Sequence, residues 1–256
     1  MPRVQAISAA SRKLTPDAEI RMAGDCVPIP MQRLTIEHFC RATTRRHALV
    51  GIGASAVVNL LPFGPGARAT TPEGLNFVVY RDGSEIGGHE VRFAQQGERL
   101  QVDIEIRFDV TFAFIPLYRY RHRNRELWQG DRLVELEART DDDGTEHWVR
   151  AEMQGDRMIV ISSGGRLDLP RDTASTSYWN EATLQDGAWI DTQSGQLARS
   201  RVEVHPPEKV RTSGQDVMAK RYVLTGDIDC ELWYHQGRWV KLRFQASDDS
   251  TIDYLS

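Results

Sequence analysis

Apolar and polar residues alternate most regularly between Leu100 and Phe114. Leu100, Val102, Ile104, Ile106, Phe108, Val110, Phe112 and Phe114 take the even positions; Gln101, Asp103, Glu105, Arg107, Asp109, Thr111 and Ala113 take the odd ones. A period of two puts one set on each side of a β-strand, whereas a helix would bury residues three and four apart. At about 3.3 Å per residue such a strand runs roughly 50 Å. That is well beyond the usual length, so it must coil, bend or carry a bulge, and a strongly curved sheet or barrel is expected.

Shorter runs of the same kind fill the chain around it. Leu75–Arg81, Glu85–Gln95, Leu117–Trp128, Leu133–Arg139, Glu146–Met153 and Arg157–Ser162 are separated by turn residues such as Asp82-Gly83, Gln96-Gly97, Gly130, Asp143-Gly144 and Gly155-Asp156. Gly164–Ser177 reads as a polar loop around Pro170, and Glu181–Leu184 as a short helix. Trp189–Thr192, Leu197–His205, Val217–Leu224, Ile228–His235, Arg238–Ala246 and Thr251–Tyr254 complete the strands. The expected fold is all-β: a strongly curved antiparallel meander, half-barrel or barrel-like.

Upstream, the pattern changes. Arg45 and Arg46 precede a mild apolar run, Ala48–Leu61, then a Pro/Gly break and Ala67-Arg68-Ala69. That order matches the basic, apolar and cleavage regions of a secretory leader, and the arginine pair points to the twin-arginine translocase as export partner. The run is shorter than the roughly 20 residues a membrane span needs, so no stable transmembrane anchor is expected. Residues 1–69 are therefore read as an extension plus signal peptide cleaved after Ala69, and 70–256 as one periplasmic domain.

Past residue 69 the chain holds 23 basic and 32 acidic residues, a formal charge of −9. An acidic exported domain argues against nucleic-acid binding. Cys26 and Cys40 fall in the leader region, leaving Cys230 with no internal disulfide partner. Its apolar neighbours Ile228 and Leu232 suggest a buried, inert thiol.

Chemical signatures are sparse. No H-E-x-x-H, C-x-x-C or G-x-S-x-G occurs, so no metal or cofactor is expected. Asp227, Asp229 and His235 are the best acid–base candidates if a hairpin brings them together, although the two aspartates also fit the solvent face of a strand. Arg119, Arg121, Arg123 and Arg125 alternate with Tyr118, Tyr120, His122 and Asn124, which sends four guanidinium groups to one face. A hairpin centred on Gly130 would pair Arg125 with Glu135 and Arg123 with Glu137, and face Arg121 to Arg139. Arg119 and Arg121 would then be free to hold a phosphate or anionic head group.

The C-terminal residues Tyr222-Val223-Leu224-Thr225-Gly226-Asp227, Leu232-Trp233-Tyr234 and Gly237-Arg238-Trp239-Val240-Lys241-Leu242, with Tyr178-Trp179-Asn180 and Asp191-Thr192-Gln193-Ser194-Gly195, resemble an uncharacterised family of exported Gram-negative β-proteins, a domain of unknown function. The resemblance implies localisation and fold, with no activity to carry over. More distantly, the meander and the Trp128, Gly130, Leu133 hairpin resemble the half-barrels that carry lipoproteins across the periplasm.

The expected function is binding or carrying a hydrophobic or lipid-like ligand in the cleft of the curved sheet. Phe108, Phe112, Phe114, Tyr178 and Trp179 would line the cleft, with Arg119 and Arg121 at its charged end. Two further readings are an envelope hydrolase or lyase built on Asp229 and His235, and a structural or assembly partner of another envelope protein.

Overall fold

The computed structural model describes residues 71–112, 115–212 and 214–256, with only the backbone described at 112, 115 and 116. The leader residues Arg45, Arg46, Ala67 and Ala69 lie outside them, as do Phe114 and the side chain of Phe112.

The strands are β1 (Leu75–Arg81), β2 (Ser84–Gln96), β3 (Arg99–Phe112), β4 (Ile115–Gln129), β5 (Arg132–Asp142), β6 (Thr145–Gln154), β7 (Arg157–Ser162), β8 (Gly165–Pro170), β9 (Ala174–Ser175), β10 (Ala188–Ile190), β11 (Leu197–Thr212), β12 (Gln215–Gly226), β13 (Cys230–His235), β14 (Arg238–Gln245) and β15 (Thr251–Leu255). One 3₁₀ helix, Glu181–Asp186, interrupts them. All fifteen strands form one sheet in the order β8-β7-β6-β5-β4-β3-β2-β1-β15-β14-β13-β12-β11-β10-β9. The ladders are antiparallel except between β9 and β10. The sheet curves without closing into a barrel.

Alternation along β3 produces the two faces. Val102, Ile104, Phe108 and Val110 point into the core, while Asp103, Glu105 and Arg107 lie on the other face. The core is filled by Trp128, Trp189, Trp239, Tyr234, Tyr254 and Phe108, all essentially solvent-free. The segment from 171 to 195 lies against this inner face: the Ser175 hydroxyl donates to Glu126 on β4 at 2.6 Å. This inner face is thus covered by the protein's own side chains.

Several expectations shift. The polar loop at Gly164–Ser177 contains β8 and β9, short strands whose polar residues mask any period. β11 continues past His205 through Pro206 and Pro207, because a register shift between His205 and Glu208 lets the ladder resume without their missing N–H groups. The helix at Glu181 is 3₁₀, started by Asn180, whose side chain accepts from the Ala182 N–H at 3.1 Å.

Glycine is demanded where strands approach most closely. A Cβ on Gly87 would sit 1.9 Å from the Arg107 carbonyl oxygen, at φ +152°, whereas one on Gly83 in the β1–β2 turn would meet open space at φ +80°. Gly87→Ala should therefore cost on the order of 3 kcal/mol in urea unfolding, and Gly83→Ala about 1 kcal/mol from backbone strain alone. Equal losses would show that the β2–β3 contact is not what requires glycine.

Candidate functional site

The inner face of β4 carries Tyr118, Tyr120, His122, Asn124, Glu126 and Trp128 in alternation, opposite the arginine row. Glu126 is fully buried. Its Oε1 accepts from Asn124 Nδ2 at 2.8 Å and from the Ser175 hydroxyl at 2.6 Å. Its Oε2 accepts from Trp128 Nε1 at 2.8 Å, the Ser177 hydroxyl at 3.2 Å and Trp179 Nε1 at 3.3 Å. Every partner is a neutral donor. Burying a carboxylate is costly unless its oxygens are satisfied, and here both are.

Farther along the same face lies a chamber of about 40 Å³, lined among others by His89, Tyr120, His122, Tyr178, Trp239 and Tyr254. The His122 Nδ1 lies 2.8 Å from the Thr140 hydroxyl. Both ring nitrogens of His89 and the Tyr178 hydroxyl have no hydrogen-bond partner. Burial lowers His89 to a pKa of about 3, with His122 nearby adding to the shift, and lowers His122 to about 4. Both rings are therefore neutral near pH 7.

The outer face of β3–β6 holds a larger hollow, about 580 Å³, bounded by Glu105, Arg123, Arg139 and Trp148 along one row and by Arg107, Arg121, Asp141 and Glu146 along the next. Most of these charges are paired. Arg123 Nε donates to Glu105 at 3.0 Å, and Arg107 binds the same carboxylate at 2.6 Å. The Arg107 hydrogen bond leads in holding Glu105 below its usual pKa, against a burial effect in the other direction, with Arg123 reinforcing it. Arg139 has no ion pair among the described residues, and it lies directly opposite Trp148, a residue that is 40 % exposed.

The arginine row is an ionic ladder, but its register differs from the expected one. The turn closes on Gln129 and Arg132, between Gly130 and Asp131, and a bulge between Leu127 and Trp128 adds a second residue of shift. Arg125 therefore faces Glu137, Arg123 faces Arg139 and Arg121 faces Asp141. The expected free residues are engaged: Arg119 pairs with Asp141 at 2.9 Å and Arg121 with Asp109 at 2.7 Å. A bulge has no composition signal here, so Arg139 could not be singled out from sequence. Glu126 was also missed; its mark was a lone acid in the inward-facing phase of β4.

Other candidates separate. Phe108 is packed in the core, stacked on Tyr120 at 5.5 Å, and does not line the chamber. Tyr178 does line it, while Trp179 packs edge-on against Trp128 at 5.1 Å and binds Glu126. Asp227 and Asp229 bind the backbone N–H groups of Arg199 and Gly226 before β13 begins. His235 ends β13 and contacts the Met218 carbonyl oxygen. A whole strand therefore separates the proposed acid and base, and the hairpin does not bring them together. Cys230 is free and buried, and burial pushes its thiol pKa up. No group of three His, Cys, Asp or Glu among the described residues could hold a metal ion.

A family described as a domain of unknown function, DUF6134, matches residues 77–256. No curated protein matches. A solved structure, a β-barrel-like protein of the domain of unknown function DUF1849 from Brucella abortus, is similar at 12 % identity, covering 70 % of this chain and 94 % of its own, with a TM-score of 0.49.

Two outcomes are expected from this geometry. Glu126→Gln places an NH₂ where donors converge, so it should lower unfolding free energy by roughly 1–3 kcal/mol, and Trp179→Phe by about 1 kcal/mol; urea titration with no loss in Glu126→Gln would contradict the network. The histidines set an acid limit. Unfolded, they take up protons near pH 6.5; folded, only near pH 3–4. Stability is therefore full above about pH 6.5 and declines as pH falls toward 4, by up to about 1.4 kcal/mol per pH unit for each histidine. His89→Phe should flatten the melting temperature between pH 7 and 4.5 relative to the unsubstituted protein; parallel curves would show that His89 does not titrate in this way.

Proposed function

The chain belongs to the DUF6134 family, and from that premise we propose that it is an exported periplasmic binding protein whose ligand is an anionic, lipid-like amphiphile held on the outer face of β3–β6. Export rests on the leader read in residues 1–69, with the twin-arginine translocase as partner in transit.

The observation that carries the binding reading is Arg139, unpaired among the described residues, beside the exposed Trp148 in a 580 Å³ hollow. Small-molecule sites usually span about 300–1,000 Å³, a range that includes this hollow. The 40 Å³ chamber is far too small for an acyl chain. Arg139 offers a planar fork of donors to a phosphate or carboxylate, and Arg107, Arg121 and Arg123 line the same hollow. Trp148 supplies apolar surface for the adjoining part of the ligand. Glu105, Asp141 and Glu146 cap the positive charge, which favours a ligand carrying a single negative charge. The carrier expectation is thereby moved from the inside of the sheet to its outside, and from Arg119 and Arg121 to Arg139.

Calorimetric titration with lysophosphatidylglycerol and lysophosphatidylcholine tests the reading. Only the anionic lipid should bind, more weakly at high salt. Arg139→Glu should reduce affinity at least tenfold, consistent with losing a charge-assisted hydrogen bond of roughly 1.5–3 kcal/mol, and Trp148→Ala should weaken it as well. Equal binding of the two lipids, or unchanged affinity in Arg139→Glu, would exclude this site.

A further inference from the structure

The outer hollow leaves the inner chamber without a role. Three features define what could occupy it. It is bounded by ten residues, none of them Asp, Glu, Lys or Arg, so no side chain in its lining balances a charged guest. Some of its polar groups are engaged: the Tyr120 hydroxyl donates to Gln193 at 3.1 Å, and the Thr176 and Thr192 hydroxyls lie 3.4 Å apart. Hydrogen-bonding capacity remains on His89, at both ring nitrogens, and on the Tyr178 hydroxyl. These two side chains are 6 % and 4 % exposed, and they do not bond each other.

A buried polar group without a partner is destabilising, and native proteins fill such positions with ordered molecules when space allows. A neutral imidazole presents one donor and one acceptor, and a phenol hydroxyl can serve as either. One water requires about 10–15 Å³ of this kind of volume, so the chamber has room for roughly three non-hydrogen atoms. Tyr178 adds a geometric signal: it takes a left-handed backbone, φ +58°, while its carbonyl accepts from the Tyr234 hydroxyl at 2.5 Å. The turn that carries its ring to the chamber is therefore held from the other side.

We propose that this chamber is a binding site for an uncharged guest of at most about three non-hydrogen atoms that both donates and accepts hydrogen bonds, bridging His89 on β2 to Tyr178. Water is the smallest molecule of that class, and a small polar solute the other. The guest ties the 171–195 segment to the sheet at a second point, away from Glu126. This inference is independent of the outer hollow and stands or falls apart from it.

Deuterium magnetic relaxation dispersion on the unsubstituted protein counts waters held longer than molecular tumbling. With water as guest, His89→Phe and Tyr178→Phe should each reduce that count by at least one, with both variants checked for folding by circular dichroism. Crystals of the unsubstituted protein should show density within hydrogen-bond distance of His89 and Tyr178. Density there with no change in the dispersion count identifies a solute and supports the same site. Xenon pressure supplies the converse, because apolar cavities stay dry and take up xenon. Xenon should be excluded from the unsubstituted chamber and enter the His89→Leu, Tyr178→Phe double variant. Xenon in the unsubstituted chamber, or a chamber without density and without a dispersion change, overturns the proposal.

Discussion

A buried acid surrounded by neutral donors is the constraint around which the inner face is arranged. Glu126 has no cation among its partners, so its burial is tolerable only while Asn124, Ser175, Ser177, Trp128 and Trp179 all keep their places. Two of those donors sit on β4 itself, and three come from the 171–195 segment. The group therefore acts as a staple between the sheet and an irregular stretch that regular ladders barely hold, since β9 has two residues and β10 three. Apolar packing would fill the same space but would not select one placement of that segment. Directional bonds to two oxygens do.

The two faces of the sheet solve the polar problem differently. Inside, charge is almost absent: histidines are neutral, tyrosines and tryptophans supply both bulk and a donor, and aromatic rings pack both edge-on and stacked. Outside, arginines and carboxylates interleave across β2–β7. Such exposed pairs add little stability individually. Their use lies in register and solubility, since like charges placed opposite each other are unfavourable. That order is broken at Glu90–Glu105, Arg107–Arg121, Asp141–Glu146, Glu135–Glu152 and, in the hollow, Arg123–Arg139. Glu105 relieves the last of these on the Arg123 side at 3.0 Å, and Arg139 is left over.

Much of the fold was legible because period-two alternation is a local signal. β1 and β7 coincide with their expected bounds, and most other strands differ by a few residues at their ends. Legibility failed where pairing depends on partners distant in sequence. Nothing in Leu127-Trp128 announces a bulge, yet that bulge, together with a turn placed between Gly130 and Asp131, decides which arginine lacks a partner. Nor does local pattern reveal that residues 171–195 pack on the inner face of the sheet, where a cleft was expected. Phe108, assigned to a cavity wall from its place on a long greasy strand, is stacked instead on Tyr120. Tyr178, expected with Trp179 at the mouth of a cavity from its position after a Gly/Pro loop, lies against a small hollow on the inner face, and Trp179 does not.

The ladder between β1 and β15 pairs Val78 with Leu255 and Arg81 with Ile252. Every other ladder joins strands that are close along the chain, so the sheet is two runs of local hairpins met at one long-range seam. Local hairpins form early, and distant pairings come late. During synthesis the seam must wait for β15, made about 170 residues after β1, by which time both runs can already have curled. Until then β1 presents a bare edge, a template on which another chain could pair.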